Sequence, residues 1–183
     1  MANQSVGKLE LIFGSMFSGK TEEMLRRLRR GQIAGQGILL VKPSRDTRYN
    51  DVVMTHDGRV EMKAQVVGCA EEILSLVTPD ISIIGIEETQ FFNGDLLSVL
   101  QVLLEKRIRV ICVGLDMWST GEAIPLMGRL ACVADSVTKL NAVCVSCGAD
   151  AYLSQKIVED DSIVDIGGAD KYRALCRDCL EST

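Results

Sequence analysis

Apolar runs alternate with stretches of helical period along most of the chain. The runs are LELIF at 9–13, GILLVK at 37–42, ISIIGI at 81–86 and RVICVGL at 109–115. Near-continuous apolar character predicts strands buried on both faces, and helices between such strands predict a parallel sheet covered by helices. The first helix is expected just after Gly19. Met24, Leu25 and Leu28 form its apolar stripe, Glu22 and Glu23 fall in its first turn, and Arg26, Arg27, Arg29 and Arg30 lie further on, as the helix dipole favours. Gly31 or Gly35 is expected to end it. A second helix, DLLSVLQVLLEKR from Asp95, takes Asn93 or Asp95 as its N-cap and links the third and fourth runs. Gly85 and Gly114 lie within or at the ends of strands, where a backbone or ligand would approach closely. From Asn141 onward the texture becomes short-stranded, turn-rich and cysteine-paired, so a boundary is expected at about residue 140.

With 183 residues, 47% of them apolar, the chain can bury a full core as one principal domain with a small appendage. The formal charge of −5 lacks the electrostatic footprint of a protein that coats nucleic acid. MANQSVGKLE carries no apolar leader, and no run approaches the roughly 18 apolar residues of a membrane helix. A soluble cytoplasmic protein without nucleic-acid or membrane partners is the expectation.

The segment GSMFSGKT, Gly14 to Thr21, fits the phosphate-binding pattern GxxxxGK[ST] between a strand and a helix. Little side-chain bulk lets the backbone N–H groups of Ser15, Met16, Phe17 and Ser18 surround phosphate oxygens, and Gly14 and Gly19 permit the backbone angles required. Lys20 would neutralise the β- and γ-phosphates of ATP, and the Thr21 hydroxyl would ligate Mg²⁺. The third apolar run leads directly into Glu87 and Glu88. Adjacent carboxylates on an extended chain point to opposite sides, so one can face a metal and the other an acceptor hydroxyl. Removal of a hydroxyl proton by a carboxylate is what a small-molecule kinase requires, though an ATPase uses a Glu similarly on water.

Seven cysteines, an odd number in a chain of this size, do not suggest a disulfide framework. Cys69, Cys112 and Cys132 are isolated and read as small buried hydrophobes. Cys144 and Cys147, then Cys176 and Cys179, form two CxxC knuckles, and four thiolates so spaced suit tetrahedral Zn²⁺. Gly148 sits where the first knuckle must turn. With all four positions filled by Cys the zinc would be structural, stapling the base of the loop from Gly148 to Leu175. Two redox-active pairs are the alternative, but neither adjoins the helix start that a thioredoxin-like site would use.

Together and in order, these motifs resemble the thymidine kinases of the cellular and poxviral type. GSMFSGKTEEMLRRLRR resembles the family's phosphate loop and first helix, DTRY at 46–49 and THDG at 55–58 its lid, and EETQFF at 87–92 its acidic signature. GLDM at 114–117, VTKLNAVC at 137–144 and IGGADKYRALCRDC at 166–179 complete the set. The resemblance implies a P-loop NTPase-type α/β domain over residues 1–140 and a zinc-ribbon lasso subdomain over 141–183. It implies transfer of the ATP γ-phosphate to the 5′-hydroxyl of thymidine or deoxyuridine, with Glu88 as the base and Glu87 in the magnesium shell. Phe91 matches an aromatic packed on the thymine ring, Met16 and Leu115 match pocket-lining residues, and Tyr172 matches the lasso tyrosine. Ser154 falls where the family has a small hydroxyl residue. Backbone groups of Ile163, Val164 and Asp165 would bond the base edge, and Arg48 matches a lid arginine near the reacting phosphate. A homotetramer and feedback inhibition by the triphosphate end product, dTTP, are likewise implied.

The chain departs from the family at Glu87, usually Asp, and at Asp165, commonly apolar. Ser119 and Ile124 stand where two phenylalanines usually shape the base pocket, and Trp118 lies one position earlier, where it could refill the space. The competing readings are a P-loop ATPase with a zinc ribbon, which lacks the expected basic face, and a non-catalytic nucleotide sensor that has lost its base pocket.

Overall fold

The computed structural model describes residues 7–46, 51–55, 58–92, 94–158 and 167–182. The elements up to the middle of the chain are β1 (Lys8–Gly14), α1 (Lys20–Ile33), β2 (Gly37–Pro43), β3 (Val52–Met54), β4 (Glu61–Lys63), β5 (Gln65–Val67), α2 (Glu72–Ser75) and β6 (Ile81–Ile86). They are followed by α3 (Leu96–Glu105), β7 (Arg109–Leu115), α4 (Pro125–Val133), β8 (Ser136–Leu140), β9 (Ala142–Val143), β10 (Asp150–Ala151), β11 (Leu153–Lys156), β12 (Tyr172–Leu175) and α5 (Arg177–Glu181). Six strands form a parallel sheet in the order β5-β2-β6-β7-β1-β8. Helices flank it on both sides, and a small cysteine-rich unit of short antiparallel strands follows β8.

Alternate residues of each central strand serve opposite layers, which is why the strands read as apolar throughout. Ile12, Ile83, Ile111 and Val113 pack with Met24, Leu25 and Leu28 of α1. Leu9, Leu11, Ile84, Val110 and Cys112 face the other way, onto Leu96, Val99, Leu100 and Leu103 of α3 and Met127 and Leu130 of α4. Side chains buried to this extent each contribute about 1.5–3 kcal/mol relative to exposure. As expected, α1 begins directly after Gly19, and Asp95 caps α3, its carboxylate accepting from the Ser98 N–H at 3.2 Å. Of the two glycines expected to stop α1, Gly35 lies just past its end and Gly31 is buried inside it.

Glu10 interrupts the first apolar run, yet it is only 3% exposed. It is held by Arg27 of α1 at 2.7 Å, by Arg109 of β7 at 2.8 Å and by Lys8 at 3.2 Å. Burial pushes its carboxyl up, but the guanidinium of Arg109, with Arg27 and Lys8, outweighs this and brings it down to about 2. Arg27 also donates to Thr138 Oγ1 at 2.9 Å, so one charged knot fixes the phosphate-loop helix across β1, β7 and β8.

The structure adds strands that apolar continuity does not reveal. β5 and β8 are the sheet's edges; β8 alternates half-buried and exposed positions because one of its two faces meets solvent. α4 starts with Pro at its first turn and buries only Met127 and Leu130. This corrects the expectation for Cys132, which lies on the outer face of α4 and is exposed, while Cys69 is half-buried. Cys112 alone of the three isolated cysteines is the buried hydrophobe expected, its thiol pushed up to about 12 by desolvation.

Candidate active site

The C-terminal ends of the central strands carry a cleft of about 920 Å³. One wall is the loop from β1 into α1, where Phe17 and Gly19 adopt positive φ of 64° and 80° and bend the chain around an open centre. Lys20 Nζ donates to the Ser15 carbonyl at 2.6 Å and Ser18 Oγ to the same oxygen at 2.8 Å. Met16, Phe17, Ser18, Gly19, Lys20 and Thr21 line the cleft. Gly14 and Ser15 stand behind it: Ser15 is 1% exposed and its hydroxyl donates to the Ala151 carbonyl at 3.1 Å. A second tie runs from the Met16 N–H to Ser154 Oγ at 2.8 Å. Phe17 packs against the buried cysteine unit, so its side chain joins the loop to the C-terminal region.

The acid pair closes the far side. Glu87 is 6% exposed, and its Oε1 accepts the Thr21 hydroxyl at 2.6 Å. The two carboxylates part in a way that the extended-chain argument did not foresee. Glu88 takes the left-handed conformation, φ 47° and ψ 45°, and starts the 3₁₀ turn Thr89–Phe91. Such a backbone costs a non-glycine residue on the order of 1 kcal/mol. The kink leaves Glu87 on the phosphate loop and Glu88 at the cleft wall, with Gln90 Nε2 donating to Glu88 Oε2 at 2.5 Å. Gln90 Oε1 in turn accepts the Leu115 N–H at 3.1 Å, tying the turn to the end of β7. A Cβ on Gly114 would lie 2.3 Å from that oxygen, so the glycine makes room for this bridge. Gln90 is a positioning residue that residue-type reasoning missed, although it sits inside the acidic signature.

The remaining wall gathers Phe91, Leu115, Ser154 and Tyr172, the described residues that the resemblance assigned to the nucleoside. Arg48, Ile163, Val164 and Asp165 lie outside the described residues. Met54, Met117, Trp118 and Ser119 also line the cleft, whereas Ile124 is buried in the core. Trp118 is therefore a cleft residue, and Ile124 is not.

β9 and β10 present the first cysteine knuckle. Cys176 of the second is the N-cap of α5, which corrects the expectation that neither pair adjoins a helix start. The gathering of all four sulfurs, and not the absence of a helix, favours a metal over two redox pairs. The four Sγ atoms of Cys144, Cys147, Cys176 and Cys179 lie within 4.8 Å of one another, and Cys147 and Cys176 are 3.6 Å apart. Four sulfurs about 2.3 Å from one zinc ion would be separated by comparable distances, so the set fits a structural zinc site. The backbone N–H of Cys176 draws the Cys144 thiol down to about 6, while the neighbouring thiols of Cys147 and Cys176 push Cys179 up to about 12. Holding all four as thiolates calls for a divalent charge at their centre. The cluster sits beside the β11–β12 hairpin, at the base of the segment leading to Tyr172.

The family model described as thymidine kinase matches residues 7–180. A curated thymidine kinase from Rhodothermus sp. (strain ITI 518) is 44% identical over 178 residues, covering 97% of this chain and 83% of that one. Among solved structures, AMPPCP-bound DnaA from Aquifex aeolicus is 14% identical, with a TM-score of 0.43 over 75% of this chain and 42% of that one. Domain III of the Thermotoga maritima replication initiation protein DnaA is 14% identical, with a TM-score of 0.44 over 73% of this chain and 55% of that one. The chain thus spans less than two thirds of either structure's length.

Proposed function

The chain belongs to the thymidine kinase family, and we propose that it transfers the γ-phosphoryl group of ATP to the 5′-hydroxyl of thymidine, and of deoxyuridine, giving the 5′-monophosphate and ADP. The divided acid pair carries this reading: Glu87 is bonded to Thr21 of the phosphate loop at 2.6 Å, while Glu88 stands on the wall of the same cleft. In the proposed reaction the loop N–H groups and Lys20 hold the β- and γ-phosphates at the start of α1. Glu88 accepts the 5′-hydroxyl proton as that oxygen bonds to the γ-phosphorus and the β–γ bridge bond breaks toward ADP. Thr21 and Glu87 offer the hard oxygen donors that suit Mg²⁺, and they would hold it at the phosphates. When bound, the ion neutralises charge on the β- and γ-phosphate oxygens. Arg48 is proposed, on the sequence motif, as a second cation for the transferring group.

On the base side, Met16, Phe91, Leu115, Ser154 and Tyr172 are proposed to enclose the nucleoside, with Ile163, Val164 and Asp165 supplying backbone groups. A P-loop unit of residues 1–140 and a zinc-held lasso of 141–183 is the corresponding division of labour. Family resemblance supports a cytoplasmic homotetramer inhibited by dTTP. Val133 at the end of α4 and Val137 on the edge strand β8 are exposed and offer apolar contacts for assembly. No helix among the described residues is long and apolar enough to cross a membrane. The test supplies purified protein with ATP, Mg²⁺ and each natural deoxynucleoside in turn. Phosphorylation of thymidine and deoxyuridine is expected; failure with both overturns the substrate assignment.

A further inference from the structure

At Ser119 and Ile124, where the family resemblance implies two phenylalanines, the chain carries no aromatic ring. Ser119 lines the cleft with a hydroxymethyl group, and Ile124 is 2% exposed and belongs to the core between the sheet and α4. Trp118 lies between the end of β7 and Ser119, and its large side chain is only half-buried and lines the cleft. A core tryptophan would bury its ring on all sides; this one packs on one side and leaves surface to the cavity.

Its position is fixed by a short hairpin. Trp118 N–H donates to the Glu122 carbonyl at 2.9 Å and Gly121 N–H to the Trp118 carbonyl at 3.0 Å, while Met117 pairs with Ala123 across the turn. Ile124 N–H bonds back to the Asp116 carbonyl at 3.0 Å, closing the hairpin onto β7. The indole packs beside the Phe91 ring, centroids 6.3 Å apart and planes 29° from parallel, within the range of offset aromatic pairs. Phe91 is itself covered by the Arg45 guanidinium, 5.3 Å from its centroid. The Trp118 indole, on hydrogen-bonded backbone, thus presents a flat, apolar surface to the cleft that suits the face of a planar heterocycle, while Phe91, 9% exposed, backs it.

We propose that Trp118 is a substrate-binding residue whose indole, backed by Phe91, forms the aromatic wall against the pyrimidine ring where Ser119 and Ile124 contribute no ring. The inference rests on the thymidine kinase reading and adds the residue that grips the base. Stacking of a base on an aromatic side chain is worth about 1–3 kcal/mol by alanine substitution. Loss of the indole should therefore raise KM for thymidine about tenfold or more, while KM for ATP, bound at the other end, stays within about twofold.

The chain has a single tryptophan, so its intrinsic emission reports on this position alone. Thymidine is titrated into the full-length protein, with indole emission and binding heat followed in parallel. A saturable change of emission with the midpoint of the heat is expected. The Trp118→Ala variant should show the rise in thymidine KM, and Trp118→Phe should recover it to within about threefold of wild type. Binding heat with unchanged emission, or a Trp118→Ala enzyme whose thymidine KM stays within about twofold of wild type, overturns the proposal. Should Trp118→Ala fail to fold, the wild-type titration and Trp118→Phe decide. Absence of both thymidine heat and thymidine turnover in the wild type overturns the kinase reading and the wall with it, an outcome distinct from heat without an optical change.

Discussion

The two ends of the cleft are built on opposite plans. The proposed phosphate end is contiguous: one loop between β1 and α1 supplies the N–H groups, Lys20 and Thr21, and Glu87 meets it from the end of β6 at 2.6 Å. The proposed base end draws on Phe91 after β6, Trp118 after β7, Ser154 on β11 and Tyr172 on β12, cleft residues of which none is adjacent to another in the chain. Phosphates are bound by backbone geometry, which a short sequence determines. Planar bases are bound by side-chain surfaces, which only a fold brings together. The first plan tolerates little sequence variation; the second lets a ring supplied by one loop position be replaced from the next.

The sharpest way to break this division is at the residue where the two ends meet. Glu88→Gln keeps the size of the side chain and an oxygen that can still accept from Gln90, but it cannot take a proton. Turnover is expected to fall by about 10²–10⁴, with ATP and thymidine binding largely retained by calorimetry. Turnover near the wild-type level would remove Glu88 from its role as base and return the acid pair to a structural one.

Next in size is the zinc staple. Structural zinc contributes so much to the folding of small cysteine units that losing a ligand should release the hairpin carrying Ser154 and Tyr172. Cys176→Ser is expected to abolish stoichiometric zinc in elemental analysis and to raise KM for thymidine at least about a hundredfold. KM for ATP should rise less. Equal loss at both ends would mean that the phosphate loop depends on the cysteine unit as heavily as the base site does, through Phe17 and the ties from Ser15 and Met16.

How much of the molecule is legible in its sequence follows the same line. The four central strands, α1 with its first-turn acids, the Asp95 cap and the four-cysteine cluster all depend on short-range patterns, and the structure has each of them. The edge strands β5 and β8 are not legible from apolar continuity, because a half-exposed strand needs only alternate apolar residues. Gln90 carries no chemical signal by type: an amide between two polar partners looks like any surface glutamine until Leu115 and Glu88 are placed beside it. Phe91 and Tyr172 enter a sequence argument only through family resemblance. Trp118 enters the sequence argument only as a residue that could refill the space; that it faces the cleft while the isoleucine turns into the core is set by the fold of the hairpin, not by WSTGEAI itself.

Glu10 tests the comparison from outside the cleft. Its partner Arg109 begins β7, and Ser136, in register beside it, begins β8, so the knot lies at the opposite end of the sheet from the site. Because its folded carboxyl is depressed to about 2 from an ordinary 4.5, the stabilisation is complete above about pH 5. It is lost progressively as the pH falls from 4.5 toward 2. Glu10→Gln should lower unfolding free energy by about 2 kcal/mol at pH 7 in urea titrations and by much less near pH 2. An equal loss at both pH values would show that packing, and not charge, sets the contribution.

The smallest expected effect concerns the joint between the two ends. Resemblance places Ser154 beside the base, yet its hydroxyl oxygen accepts the Met16 N–H of the phosphate loop at 2.8 Å. Ser154→Ala removes one hydrogen bond at a partly buried N–H, a loss of about 1 kcal/mol, or about fivefold in an equilibrium. If the hydroxyl holds the loop to β11, the loss should appear in KM for ATP and for thymidine alike. It should also be less than additive with Ser15→Ala, which cuts the parallel tie to the Ala151 carbonyl. A change in thymidine KM alone, additive with Ser15→Ala, would instead put Ser154 on the base itself. The Ser15–Ala151 tie and the packing of Phe17 on the cysteine unit would then carry the joint between the two ends.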